Sequence, residues 1–292
     1  MVALPSSHLS GLSTFQITDA EFRYLRDLIY AHTGISLTEH KRALVCARLA
    51  KRLRHHNISS FSDYYHLITE KDPGGAELAE MINCITTNKT DFFRESHHFQ
   101  FLAEQVIPAI RAQARGQTRR LRVWSAGTAT GEEAYSAAIA IRHAIPTEES
   151  WDMRILATDI DTRVLRHAEQ GVYSMEQASH IPEPLLHRYF LKGTGSNSER
   201  VKAKPAIRDL IEFRQLNFMD EPWPLRSLFD VIFCRNVVIY FDRETQRHLI
   251  ARLLKLLRPQ GYLFLGHSES LISTDAPVRH QGQSIYQYTG KG

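Results

Sequence analysis

The amino-acid sequence predicts a doubly wound α/β domain preceded by a small all-α domain. The main observation is a pattern of alternating apolar residues at 121–124, a loop containing Gly127 and Gly131, and an apolar helical period that begins at Glu132. This order of strand, glycine loop and helix is the first unit of a doubly wound sheet, in which ligands lie at the carboxyl ends of the strands. Further strand-like runs follow at 154–159, 211–213, 230–233, 262–265 and 284–288.

The all-α domain is predicted at 15–88, where only helical periods occur. Its second helix is predicted at 38–56, and the part between Lys41 and His56 contains six lysines or arginines and no acid. A run of one charge sign suits an acidic partner, and we expect Lys41, Arg48 and Arg52 to contribute to such a docking surface. The alternative is a solvated charged face. A linker with a leading helix is predicted at 89–120, and the α/β domain at 121–288.

Composition places the chain among ordinary globular proteins, with 43% hydrophobic residues, 23% charged residues and a net charge of +4. Its three cysteines are scattered without a CxxC pair, so we expect neither a disulfide framework nor a zinc site. Residues 1–12 lack the pattern of a signal peptide, and no apolar run reaches the roughly 18 residues of a membrane span. We therefore expect a soluble, cytoplasmic monomer.

The glycine loop does not suit a dinucleotide. Its glycines are spaced GxxxG rather than GxGxxG, and the following helix opens with Glu132 and Glu133, which would repel a pyrophosphate. Asp159 ends the next strand-like run, where an acid commonly accepts ribose hydroxyls. A ribose with a cationic tail and no phosphate describes S-adenosylmethionine. The alternative is a simple helix cap beside a surface strand end; Asp159 favours the methyl donor.

Five motifs, in order along the chain, resemble those of the CheR-type chemoreceptor glutamate O-methyltransferases of bacterial chemotaxis. They are TTNKTDFFRE (86–95), GTATGEEAYS (127–136), ATDID (157–161), FCRNVVIYFD (233–242) and GHSES (266–270). The resemblance extends over about 15–288, with Ala129 and Ala134 as departures where similar sequences often have Ser and Pro. It implies a class I methyltransferase sheet and transfer of methyl groups from S-adenosylmethionine to receptor glutamates in sensory adaptation, leaving S-adenosylhomocysteine.

The resemblance also implies the site residues. Glu133 would bind the methionyl ammonium, Asp159 the ribose, and Asn217 with Phe218 the adenine. The full donor set is Asn88, Thr90, Arg94, Gly127, Glu133, Asp159, Asn217, Phe218, Arg235 and Asn236. Arg94 and Tyr240 would orient the acceptor as catalytic residues, and Arg94 and Arg235 can each grip a carboxylate in a bidentate manner. No general base is needed, because a glutamate with a pKa of about 4.3 is already ionised.

A strand, glycine turn and strand at 188–206 interrupt the α/β rhythm and predict an inserted β hairpin. An exposed strand edge with nearby cations suits an extended acidic peptide. The resemblance to family members with a Gly-x-Gly turn implies that Lys192, Gly193 and Gly195 help bind a C-terminal peptide of some receptors there, in addition to the helices of the receptors' cytoplasmic part. The competing hypotheses are a catalytically silent scaffold and a nucleic-acid methyltransferase. A nucleic-acid methyltransferase is disfavoured because residues 235–238 read RNVV instead of the DPPY box of amino-methylating DNA enzymes, so we expect no nucleic-acid partner. We also expect no metal at the paired histidines.

Overall fold

The computed structural model of the chain describes residues 15–113, 119–146, 148–271 and 277–290. The segment 1–12, for which no signal peptide is expected, lies outside these residues. The chain divides into two compact units. The first contains its described residues up to Ala31 and Leu37–Ile85, and the second contains His32–Ser36 and its described residues from Thr86 onward.

Four helices build the first unit: α1 (Asp19–Thr33, whose last two residues fall in the second unit), α2 (Arg42–His55), α3 (Phe61–Glu70) and α4 (Ala76–Ile85). Thr18 and Glu21 cap α1 reciprocally, since each side chain accepts a hydrogen bond from the other residue's backbone N–H. The core contains Val45, Leu49 and Leu53 of α2, at the helical spacing that the sequence indicates. This unit confirms the all-α class of the N-terminal part.

The second unit is built on a seven-stranded sheet. Its strands are β1 (Arg119–Ala126), β2 (Trp151–Asp159), β6 (Ile211–Gln215), β7 (Phe229–Cys234), β8 (Leu257–Leu265), β9 (Val278–Gly282) and β10 (Ile285–Tyr288). They lie in the order β6-β2-β1-β7-β8-β10-β9. The pairs from β6 to β8 are parallel, and β10 is antiparallel to both neighbours. This topology confirms the doubly wound class I prediction, including its antiparallel closing strand.

Both faces of this sheet are buried under helices. On β1, Leu121 and Val123 face one core, which also contains α7 (Glu132–Ala144), whereas Trp124 and Ala126 face a second core with α12 (Arg243–Lys255). The predicted linker contributes to the first core through a continuous helical stretch. This stretch consists of α5 (His97–Phe101), a π-helical segment (Leu102–Val106) and α6 (Ile107–Gln113). Alternate strand residues therefore enter opposite cores, as a doubly wound sheet requires.

The insertion differs from the predicted lone hairpin. β4 (Phe190–Lys192) and β5 (Arg200–Ala203) pair as expected, but β3 (Val172–Ser174) pairs with the other side of β5 and makes a three-stranded sheet. The rest of the second unit consists of the helices α8 (Thr162–Gln170), α9 (Met175–Ala178), α10 (Glu183–Tyr189) and α11 (Pro205–Arg208). Within the ranges that the structure describes, no helix has the length and apolar character needed to cross a membrane.

Candidate active site

The loop between β1 and α7 is tied to the end of β2. The backbone N–H groups of Gly127 and Thr128 both donate to the Thr158 carbonyl, at 2.8 and 2.9 Å. Gly127 has a φ of +83°, and a Cβ at this position would lie 2.5 Å from Cγ2 of Val237. Only glycine therefore fits here, because a side chain would be strained and would collide with the loop after β7.

Asp159, at the end of β2, faces the same loop. Its two carboxylate oxygens accept the backbone N–H groups of Ala129 and Asp161, each at 2.9 Å. Burial raises the pKa of Asp159 to about 6, against the lowering effect of these hydrogen bonds. The ionised side chain can accept further hydrogen bonds, as a ribose diol would require.

Asp161 is a buried residue of this region to which the sequence analysis gave no role. Its Oδ1 caps α8 by accepting the N–H of Arg163 at 2.8 Å. Its Oδ2 accepts the Asn88 amide at 2.8 Å and the Thr86 hydroxyl at 3.0 Å. Asn88, expected at the donor, is thus held against Asp161. An aspartate directly before a helix can be recognised from the sequence as a helix cap. The contact of Asp161 with Asn88 cannot be recognised in this way, because the two residues are 73 positions apart in the chain.

Glu133 lies in the first turn of α7 and is almost fully buried. The Ser125 hydroxyl donates to its Oε1 at 2.7 Å, and Arg235 approaches its Oε2 at 3.4 Å. Burial raises the pKa of Glu133 in spite of the neighbouring guanidinium. Glu133 thus already has partners on both oxygens, and an incoming ammonium would join them.

Arg235 is not the open carboxylate fork that the sequence suggests. Its side chain is 2% exposed and lies between two carboxylates, with 3.4 Å to Oε2 of Glu133 and 3.4 Å to Oε2 of Glu95. It also donates to the Arg94 carbonyl and lies over the ring of Phe99. This correction has a physical reason, since two protein acids already neutralise the guanidinium and bury it.

Arg94 retains the accessible guanidinium. Its side chain is partly exposed and donates to the Lys89 carbonyl at 3.2 Å. Thr90 is half-buried in the same segment. Of the two arginines that the sequence places near the acceptor, Arg94 is therefore the one whose guanidinium forms no close ion pair among the described residues.

The loop after β7 carries Asn236 and Tyr240. Glu269, buried at the end of β8, accepts the backbone N–H groups of Asn236 at 2.8 Å, Ile239 at 3.3 Å and Gly266 at 2.6 Å. The carboxylate thus holds the loop in place. Tyr240 is half-buried, and its hydroxyl has no hydrogen-bond partner within the described ranges.

Asn217 and Phe218 follow β6. The Asn217 amide donates to the His32 carbonyl at 2.6 Å and accepts the Met219 N–H at 3.0 Å. Phe218 is half-buried beside Trp223, and its carbonyl accepts a hydrogen bond from Arg252 at 2.6 Å. Both residues are thus held by internal hydrogen bonds.

The predicted donor residues follow four neighbouring strands. The carboxyl ends of β6, β2, β1 and β7 are adjacent in the sheet and carry Asn217, Asp159, Gly127 and Arg235. Because parallel strands present their carboxyl ends at one edge, these residues share the edge at which doubly wound folds bind ligands.

One cluster near this edge has the composition of a metal site. Glu95, His97 and His98 offer ligand atoms within 4.8 Å of one another. Arg235 lies 3.4 Å from Glu95, and this guanidinium already supplies the positive charge that a metal ion would bring. Burial works to raise the pKa of Glu95, but Arg235 and the His267 N–H outweigh it and lower that pKa. We therefore interpret the cluster as an ion-pair network.

The basic helix α2 carries fewer free charges than its sequence suggests. Arg52 forms a two-pronged pair with Glu77 of α4, and His56 and Tyr64 also bind Glu77, at 2.7 and 2.6 Å. Arg48 donates to the Ile85 carbonyl. This corrects the expected docking set, because Arg52 and Arg48 have internal partners. The exposed lysines and arginines of α2 and its preceding turn are Lys41, Lys51 and Arg54.

The insertion forms a groove of 400 Å³ beside β4. Leu191, Lys192, Gly193, Arg200 and Lys202 are among its lining residues. The side chain of Leu191 is 54% exposed. The two predicted glycines have separate roles in the turn: a Cβ on Gly193 would collide with the Asn197 carbonyl, and Gly195 has a φ of +56°.

The fold and the site define a class I methyltransferase, with a doubly wound sheet, an antiparallel closing strand and acids instead of a phosphate cradle at the first glycine loop. The comparison with known families gives the particular assignment. The S-adenosylmethionine-binding domain of CheR methyltransferases matches residues 88–286, and their all-α domain matches 20–86. The chain therefore belongs to the CheR methyltransferase family and is an enzyme with an S-adenosylmethionine-binding domain.

The similarity to known proteins extends over nearly the whole chain. The chain is 43% identical to chemotaxis protein methyltransferase 2 of Pseudomonas aeruginosa over 284 residues, which cover 96% of this chain and 97% of the relative. It is 39% identical to the chemotaxis protein methyltransferase of Escherichia coli over 271 residues, 92% and 91% of the two chains. Both domains therefore contribute to the similarity.

Proposed function

We propose that this enzyme transfers the methyl group of S-adenosylmethionine to glutamate carboxylates of chemoreceptors, giving methyl esters and S-adenosylhomocysteine. The observation that carries the proposal is the pair of buried acids, Glu133 and Asp159, that follow adjacent parallel strands in a CheR-family chain. Ionised Asp159 would accept the ribose hydroxyls, and Glu133 would take the methionyl ammonium beside Ser125 and Arg235.

The acceptor needs orientation rather than activation. A glutamate carboxylate is already the nucleophile near neutral pH, so the enzyme has to align oxygen, methyl carbon and sulfur and exclude water. Arg94 has the partly exposed guanidinium that would hold the acceptor carboxylate, and the Tyr240 hydroxyl is available to orient it. Alignment of this kind can supply several kcal/mol of the barrier reduction.

A methyl-transfer assay tests the proposal. The full chain is incubated with methyl-labelled S-adenosylmethionine and the cytoplasmic part of a receptor, and the label is followed into protein. If the methyl group is transferred to glutamate, the product is a methyl ester, and treatment with base should release the label as methanol. Base-stable label would indicate another acceptor atom. Donor binding without any transfer would favour a silent scaffold.

Two surfaces are proposed for receptor binding. The exposed cations around Lys41 and Lys51 form the first, and their charge suits an acidic receptor helix. The groove beside β4 is the second. β4 pairs only with β5 in its sheet, and its exposed Leu191 and the cations Lys192, Arg200 and Lys202 suit an extended acidic peptide added along the strand edge. Such a tether raises the local enzyme concentration without altering the chemistry.

A further inference from the structure

The backbone around Arg94 is held in an uncommon conformation. Phe93 and Glu95 have φ angles of +53° and +54°, in the left-handed region that side-chain-bearing residues rarely adopt. Two such residues flank Arg94, so the direction of its side chain depends on whatever holds its neighbours. Conformations of this kind persist only where surrounding contacts over-determine them.

Ser136, Arg235 and His267 contact this segment. The Phe93 N–H donates to the Ser136 hydroxyl at 2.9 Å. Arg235 donates to the Arg94 carbonyl. The Glu95 carboxylate accepts the His267 N–H at 3.2 Å through Oε1, and its Oε2 lies 3.4 Å from Nη2 of Arg235.

Among these groups, Glu95 helps to hold Arg235 in position. The guanidinium is pulled from two sides, by Glu95 through Nη2 and by Glu133 through Nη1, each at 3.4 Å. Nη2 is also the atom that donates to the Arg94 carbonyl. Without Glu95, the Arg94 carbonyl alone would hold Nη2 against the attraction of Glu133, so the guanidinium would be held less firmly at the Arg94 peptide.

We propose that Glu95 is a positioning residue for methyl transfer, which keeps Arg94 directed at the acceptor by fixing Arg235 against the Arg94 carbonyl. The inference rests on the proposed function, in which Arg94 holds the acceptor carboxylate. The Glu95 carboxylate faces Arg235 and the His267 N–H, and the fully buried His98 lies 3.7 Å from its Oε2, so Glu95 would act through Arg235.

Three substitutions distinguish the effect of losing the Glu95 carboxylate from the effect of the backbone strain at its positive φ. Glu95→Ala removes the carboxylate and keeps a Cβ at positive φ. Glu95→Gly removes the carboxylate but relieves the backbone. Glu95→Gln keeps hydrogen-bond acceptors without the charge. The matched control is Glu104→Ala, since Glu104 is an exposed acid on the following helical stretch whose partner is Gln100.

The expected result is a split between turnover and donor binding. Turnover at saturating donor falls between about tenfold and a hundredfold in Glu95→Ala and stays low in Glu95→Gly, because alignment is lost. Glu95→Gln recovers part of the loss. Calorimetric affinity for S-adenosylhomocysteine changes much less than turnover, and the control behaves as the wild type.

A double-mutant cycle gives the decisive readout. Because Glu95 acts through Arg94, adding Glu95→Gln to Arg94→Ala should cost little beyond Arg94→Ala alone. Additive losses, wild-type turnover in Glu95→Gln, or full recovery in Glu95→Gly would each overturn the inference. Absence of methyl transfer by the wild type and the Glu104→Ala control would instead refute the proposed function, so the two failures are distinguishable.

Discussion

Asp159 is the residue whose charge state is expected to control donor binding. Its raised pKa of about 6 places the protonation of a buried carboxyl close to the working pH range. In the protein without ligand, the protonated form is favoured relative to the unfolded chain. This contribution to stability is therefore present below the ordinary pKa of 3.8 and is lost as pH rises through about 6. Ribose binding has the opposite preference, because it needs the ionised acceptor.

Donor affinity should therefore fall as the solution is acidified. We expect the dissociation constant for S-adenosylhomocysteine to rise about tenfold between pH 7 and pH 5, as Asp159 takes up its proton. Isothermal titration calorimetry across this range measures it. Asp159→Asn should bind weakly with no step near pH 6, whereas Asp209→Asn, at an exposed site, should retain the step. If Asp159→Asn showed the same change in the dissociation constant near pH 6, the titrating group would be a residue other than Asp159.

Gly127 is the second residue with a specific requirement. Gly127→Ala places a Cβ at a φ of +83° and against Val237. We expect a loss of about 1–3 kcal/mol in the free energy of unfolding, together with weaker donor binding. Urea denaturation measures the loss. Val237→Ala combined with Gly127→Ala should recover only part of it, because the collision is removed and the backbone strain remains. Complete recovery would show that strain contributes nothing.

At the scale of elements, α2 has an inner and an outer set of cations. Arg52 is bound to Glu77, so reversing its charge would leave Glu77 uncompensated and damage the unit itself. Lys41 and Lys51 are exposed and suit a test of docking.

Lys51→Glu should raise the KM for intact receptor by roughly two- to fivefold with little change in kcat, because an exposed charge contributes mainly to encounter. Added salt should raise the wild-type KM in the same direction. Lys41→Glu should behave alike. The matched control is Lys71→Glu, an exposed lysine directly after α3. If Lys41→Glu, Lys51→Glu and Lys71→Glu had equal effects on the KM, the exposed face of α2 would be a solvated charged face and not a docking surface.

The edge strand β4 gives a second prediction at this scale. Lys192→Glu should weaken binding of a fluorescent acidic peptide from a receptor C-terminus, as measured by anisotropy, because the groove loses a cation beside the strand edge. Arg226→Glu, an exposed reversal outside the groove, serves as the control. Deleting the last residues of the receptor should have the effect of Lys192→Glu. Binding that survives both changes would exclude the tether.

At the scale of the whole molecule, the predicted donor residues all belong to the second unit. A ligand that binds the folded form stabilises it by about 2.7 kcal/mol at one hundred times its dissociation constant. Hydrogen exchange with S-adenosylhomocysteine should therefore show slower exchange at the β1–α7 loop, the end of β2 and the loop after β7. Exchange in α2, α3 and α4 should be unchanged. Protection confined to those helices would contradict the site assignment.

The sequence by itself determined the fold class and where the two predicted donor acids lie in it. Alternation along strands, helical periods and glycine positions are local properties, so the strand, glycine loop and helix around Gly127 were predictable from neighbouring residues. Glu133 and Asp159 were predictable for the same reason, since one opens a helix and the other ends a strand.

Only the tertiary structure decided which charges remain available. Arg235 and Glu133 are 102 residues apart, and Arg52 and Glu77 are 25 apart. Side chains so distant in the chain meet because the sheet and the helices bring them together, and no local pattern records the pairing. For this reason neither Arg235 nor Arg52 has the free guanidinium that the sequence predicts. β3 was missed likewise, because a strand of three residues depends for its existence on pairing with β5.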